Sequence, residues 1–282
     1  MLPLALFARR NFAAGNAQTL AMYAGLSILF FYLVLFLQQV AGYTALQAGL
    51  ATLPTTIVMF TLSKRAGMLA DRIGPRLFMG GGPLLAAAGL LLLLRLDADI
   101  DYFSELLPAL LVFSLGLATT VAPLTATVLS DADEQHAGIA SGVNNAIARA
   151  GGLLGVAALG AVIAAQFSGA LRDRIDTASL SASGRAVVRA AERRVLVRAD
   201  VSSLSPTEAS TMARATEAAS IEAFHIGMTI SGALVGLGGI LGLLLVRNPR
   251  RDVACADCAG GLLAGAPADA ARARGTAVAA LE

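Results

Sequence analysis

Six long apolar stretches constrain this chain more than anything else in it; they run over about 12–40, 45–62, 77–94, 106–129, 138–167 and 223–246. A bilayer core of roughly 30 Å takes about 20 apolar residues of helix, and the stretches match or approach that length. Backbone N–H and C=O groups find no water there, so only helices and closed barrels span it. The stretches are continuous rather than alternating, which excludes a barrel and predicts an all-α membrane protein with six transmembrane helices. Pro54, Pro83, Pro108 and Pro123 fall within these runs, a placement that membrane helices tolerate because neighbouring helices satisfy the freed carbonyls. Charged residues make up only 14% of the chain, too few for a soluble domain of this size.

Arginine and lysine give the orientation. Arg9 and Arg10 precede the first span, Lys64, Arg65, Arg72 and Arg76 lie between the second and third, and Arg247, Arg250 and Arg251 follow the sixth. With six spans these fall on one side, which the positive-inside rule makes cytoplasmic, and both termini go with it. The other side receives Asp97, Asp99, Asp101 and Glu105. The acidic loop of Asp131, Asp133, Glu134 and His136, and the arginine-bearing segment 168–222, depart from the pattern. Acidic residues count little in the rule, and long segments translocate regardless of charge. No signal peptide is expected, because the first apolar run is too long for one. A net charge of +2 offers nothing to nucleic acid.

Outside the membrane, 168–222 is predicted to form an external helical loop: 186–197 carries Val187, Val188, Ala191 and Val195 at helical spacing, and Ser205-Pro206-Thr207-Glu208 reads as a capping box opening a second helix. The tail 251–282 lacks apolar periodicity and is predicted to be disordered. Its Cys255 and Cys258 form a lone C-x-x-C, too little for a zinc or redox site. No cofactor and no metal are expected. The two histidines, His136 and His225, lie at the ends of different spans, so an enzyme is not expected either.

Polar residues within the spans are the candidates for function. On helix 1, Asn16, Thr19, Tyr23, Ser27, Phe30 and Gln38 fall along one stripe at about 100° per residue. On helix 5, Ser141, Asn145, Arg149 and Gly152 share a face with Asn144 at its edge. An intramembrane arginine faces a bundle interior or a wet cavity, or snorkels. The stripe can equally line a pathway or join helices by hydrogen bonds. Gly151 with Gly155, Gly232 with Gly236, and Gly238 with Gly242 carry the four-residue spacing of close helix contacts.

The sharpest local signal spans 67–76, Gly-Met-Leu-Ala-Asp-Arg-Ile-Gly-Pro-Arg. Its glycines allow a tight reversal, Asp71 can meet helix N-terminal amides or an arginine, and Arg72 and Arg76 can reach anionic lipid. The stretch resembles the G-x-L-a-D-r-x-G-r-k loop motif of the major facilitator superfamily, matching at Gly67, Leu69, Ala70, Asp71, Arg72, Gly74 and Arg76, while Pro75 replaces the usual basic residue. Segments 37–50, 121–125 and 137–146 are similar to the C-terminal half of the fourteen-helix drug:proton antiporter branch. The resemblance runs from about residue 2 to 249.

It implies one six-helix bundle built as two three-helix repeats, in a bacterial cytoplasmic membrane, working by alternating access as half of a proton-coupled exporter of amphipathic small molecules. The implied partners are membrane lipid, a small-molecule substrate, and either an N-terminal six-helix bundle or a second copy. In that branch the first and fifth helices of this half border the central cavity, which favours the pathway reading of both polar stripes. The proton-coupling acidic residues lie mostly in the other half, and no span here has Asp or Glu in its interior. The alternative is a remnant or accessory membrane protein without transport of its own.

Overall fold

A computed structural model describes residues 4–130, 136–176, 180–192, 196 and 199–248. Asp131, Asp133, Glu134, Arg193, Arg194, Val195, Val197, Arg250, Arg251 and the tail with Cys255 and Cys258 lie outside the described residues. Seven α-helices are found among the described residues: α1 (Arg10–Gln39), α2 (Ala45–Ile73), α3 (Pro75–Leu92), α4 (Leu107–Ser130), α5 (Ala137–Arg174), α6 (Ala182–Glu192) and α7 (Pro206–Leu245). All but α6 are long and apolar enough to cross a membrane.

Several helices outrun their apolar stretches. α2 does not stop near residue 62 but continues to Ile73, because Lys64, Arg65, Ala66, Met68, Leu69, Ala70 and Arg72 are good helix formers and nothing interrupts them before Gly74. The cytoplasmic loop expected at 67–76 is therefore a single residue. Gly74 has φ 105°, which favours glycine, its N–H bonds Ala70 O at 2.8 Å to end α2, and Pro75 opens α3 at once. α7 likewise joins the expected external helix and the sixth span into one rod from Pro206. Ser205 caps it, but the expected capping box is half-made: the Glu208 carboxylate accepts instead from Ser181 N at 2.8 Å, tying α6 to α7. A complete capping box forms at Thr44 and Gln47, opening α2. α6 buries Gly184, Val188 and Ala191, and Glu192 pairs with Arg172 of α5 at 2.7 Å.

Packing joins distant helices as well as sequence neighbours. α1 packs on α7 and α5, α4 packs on α3 and α2, and α3 meets α7. Exchanging α1 with α4, α2 with α5 and α3 with α7 turns each of these pairs into another of them or into itself. That is the signature of two three-helix repeats around a common core. α2 and α5, partners in this exchange, are also the most exposed: 17% and 28% of their most apolar windows are buried, against 50% for α1.

Close contacts follow the small residues. A Cβ at Gly151 would stand 2.8 Å from Leu20 O and one at Gly155 2.6 Å from Ala24 O, so α5 lies directly on the α1 backbone. Gly242 meets Met79 O and Gly238 meets Met22 Cγ, sealing α7 onto α3 and α1. Gly232 and Gly236 make only ordinary contacts, 3.4 Å or more from Leu91 and Ala87.

Candidate functional site

The polar stripe of α1 divides into parts with different surroundings. Asn16 and Thr19 are buried, and one side-chain amide of α5 meets both: Asn144 Nδ2 donates to Asn16 Oδ1 at 3.2 Å and to Thr19 Oγ1 at 2.9 Å. Asn16 Nδ2 donates to Phe12 O and Thr19 Oγ1 to Gly15 O, so each buried donor has a partner. These groups join α1 to α5. Tyr23 and Ser27 continue the seam half-buried opposite Gly152, where a Cβ would come 2.6 Å from Ser27 Oγ. Gln38 is half-buried at the far end of the helix. Phe30 is 44% exposed and makes a T-shaped ring contact with Phe113 of α4.

The helix 5 candidates separate just as sharply. Asn145 is exposed and only bonds back to Ser141 O of its own helix, at 3.1 Å. One turn on, Arg149 is exposed and makes no hydrogen bond or ion pair among the described residues. Leu153 and Leu154 continue this face at 75% and 63% exposure. The structure thus brings Asn16, Thr19 and Asn144 together and leaves Asn145 and Arg149 on an open surface.

At the basic end, the motif residues do not form a closed cluster. Asp71 and Arg72 are exposed on the last turn of α2, and neither contacts another described residue by hydrogen bond or ion pair, because the helix carries them outward instead of folding them back across a loop. Leu69 is 45% exposed. Gly67 faces α4, its Cβ position 3.3 Å from Ala122. Arg76 is engaged: its Nε donates to Leu243 O at 2.6 Å. Arg10 does the same from α1, with Nε on Leu245 O at 2.7 Å and Nη2 on Leu244 O at 3.2 Å. Asn11 exchanges a pair of hydrogen bonds with the Arg247 backbone at 3.1 and 2.9 Å. Two guanidinium groups and an amide from two neighbouring helices therefore cap the C-terminus of α7, where the free carbonyls carry partial negative charge. Spacing within a single helix gave no hint of this cap.

Gln18 was also not among the expected candidates. It is fully buried where α1, α3 and α7 meet, donates from Nε2 to Met79 O at 2.6 Å, and leaves Oε1 without a hydrogen-bond donor, facing Gly242. A lone glutamine inside an apolar run, off the stripe of the other polar residues, was the available signal. Among the described residues no three His, Cys, Asp or Glu side chains converge closely enough to hold a metal ion.

Residues 3–156, over half of the 282-residue chain, match the Major Facilitator Superfamily. The chain belongs to that superfamily of membrane transporters. Similar proteins carry names from drug and antibiotic export. The tetracenomycin C resistance and export protein of Streptomyces glaucescens is 28% identical over 83% of this chain and 44% of its own length. The probable actinorhodin transporter of Streptomyces coelicolor is 31% identical over 65% of this chain and 34% of its own. The multidrug resistance protein Stp of Mycobacterium tuberculosis is 30% identical over 73% and 36%. The chain thus spans less than half the length of these relatives.

Proposed function

We propose that this bundle is one half of a proton-coupled exporter of amphipathic small molecules, moving by alternating access against another six-helix bundle. The observation that carries the proposal is the open face of α5 with its symmetry mate α2. Large apolar residues and one unpaired intramembrane arginine stand exposed there, while every other long helix is better buried. An arginine at that depth is costly in lipid, so Arg149 faces a wet cavity shared with the second bundle, and Asn145 lines it too. Asn16, Thr19 and Asn144 hold the wall behind them, with Tyr23, Ser27 and Gln38 bordering it. The second bundle is an N-terminal six-helix unit or a second copy, and the proton-titrating carboxylates come from it.

The basic end lies in the cytoplasm of a bacterial cell, both termini with it, and 168–222 lies outside. Asp71 and Arg72, unengaged in this bundle, complete a cytoplasmic latch against the second one. Cysteine accessibility checks the orientation: Ser183→Cys should label only from outside. The test of function is reconstitution into vesicles with an imposed pH gradient. This chain alone should move no dye, addition of an N-terminal bundle from a relative should restore gradient-dependent movement, and Arg149→Ala should abolish it. Gradient-driven movement by the chain alone, or full activity of Arg149→Ala with its partner, would overturn the proposal.

A further inference from the structure

At the end of the bundle away from the arginine cap, the turn that follows α3, the last turn of α5 and the middle of α7 border an open hollow of about 480 Å³. Asp97, Arg174, Glu222 and His225 line it together with Leu94, Ile221, Ile226 and Thr229. It is remote from the open face of α5 and plays no part in the transport reading above.

The charges in it are unevenly matched. Arg174 pairs with Glu222 at 2.7 Å and bonds Ala170 O at 2.9 Å. Asp97 has no hydrogen bond or ion pair among the described residues, so the cavity keeps one uncompensated carboxylate beside a second that is 45% exposed. His225 Nε2 lies 2.9 Å from Leu96 O, which fixes the proton on Nε2 and leaves Nδ1 as an acceptor in the neutral ring. The site therefore offers several acceptors and one guanidinium. A metal ion does not suit it, since no three ligating side chains converge there among the described residues.

The position narrows the ligand further. From Glu222 to Thr229 α7 descends about 10 Å, the depth over which headgroups give way to acyl chains. Below the cavity the outer face of α7 continues as an exposed stripe of Thr229, Ala233, Leu237, Ile240 and Leu244. Alongside it, Leu91 of α3 is 46% exposed, resting against Gly232. Charged groups above and an apolar seam below match the two ends of a phospholipid.

We propose that this cavity binds the headgroup of a phospholipid bearing a primary amine, with its acyl chain along the α3–α7 seam. The ammonium group donates to the Asp97 and Glu222 carboxylates, and the phosphate sits against the free N–H groups of Arg174. A phosphatidylcholine headgroup has no N–H to give, so the site discriminates by hydrogen bonding and not by charge.

Native mass spectrometry of the full chain tests this, released from micelles holding equal phosphatidylethanolamine and phosphatidylcholine of identical acyl chains. Wild type should retain the ethanolamine lipid over the choline lipid by roughly tenfold, the ratio of one charge-assisted hydrogen bond. Asp97→Asn, at a residue that holds no part of the fold together, should bring the ratio close to one; Asp99→Asn outside the cavity should leave it unchanged. Soluble glycerophosphoethanolamine at millimolar concentration should not displace the lipid. Equal retention of the two lipids by wild type, or a preference that survives Asp97→Asn, would overturn the site. Displacement by the soluble headgroup would show a small-molecule site in place of a lipid one.

Discussion

Asn144 and Asn145 are neighbours in the chain and opposites in environment. The first reaches across to Asn16 and Thr19 and fastens α5 to α1; the second stands exposed above Arg149 and touches only its own helix. About 100° of helical rotation separates a group that holds the bundle together from one that is open to whatever lies beyond it. The two ends of the 67–76 motif show the same division. Arg76 is spent on a carbonyl of α7, while Arg72, four residues earlier across the turn, is unengaged. Polarity inside a span therefore says that a residue matters, and only its packing says for what.

The strongest challenge to this division is steric. Gly155→Leu forces a side chain into the backbone of α1 and should cost about 3 kcal/mol or more, removing most of the monodisperse protein in fluorescence-detected size exclusion. Gly142→Leu, on the open face with nothing within 4 Å, should leave the profile unchanged. If both behave alike, the seam is not where it is placed here. Next in size, Asn144→Ala should lower stability by about 1 kcal/mol, the usual range of an interhelical hydrogen bond, while Asn145→Ala should lower transport without moving the thermal midpoint. Equal thermal shifts would erase the contrast.

A smaller effect is expected at the basic end. Arg76→Ala and Arg10→Ala should each destabilise by roughly 0.5 kcal/mol through the exposed α7 terminus, with Arg72→Ala silent. Hydrogen exchange over 240–247 reads this directly, with faster exchange expected only in the first two. Smallest is a pH effect at the other end. Hydrogen bonds from the Ser104 side chain and from the backbone N–H groups of Ser104 and Phe103 hold the Asp101 carboxyl below its ordinary value. The stability it adds is present above the unfolded carboxylate value and is lost as pH falls through the lowered one. Asp101→Ala should therefore flatten the acid limb of the stability profile slightly, and an unchanged limb would remove Asp101 from the account.

The six spans were legible because a bilayer imposes a length on apolar helices and residues 12–40 or 223–246 meet it without help from tertiary contacts. Helix ends were less legible. No long apolar run marks Lys64 to Ile73, yet it is helical, since local propensity continues a helix wherever no residue ends it; the helix opening at Pro206 was legible from its cap, but not its fusion with the sixth span into one rod. The glycine pairs at 151 and 155 and at 238 and 242 showed their packing role openly, whereas 232 and 236 share the spacing without the close approach. The cap on α7 was hidden because its parts, Arg10, Asn11, Arg76 and the 243–247 carbonyls, come together only when three helices do. Gln18 stayed unremarked for the same reason: its partner, Met79 O, is a backbone atom 61 positions away.

The link at Gly74 has a mechanical consequence. Flexible loops let neighbouring helices slide, but one residue between Ile73 and Pro75 leaves no slack in the chain. When α2 tilts, the start of α3 must travel with it, and Arg76, two residues beyond the pivot, carries the pull to the end of α7. Force applied to the exposed edge of the bundle is thereby delivered to the opposite one through a glycine pivot and a single guanidinium, so α2, α3 and α7 move as one lever.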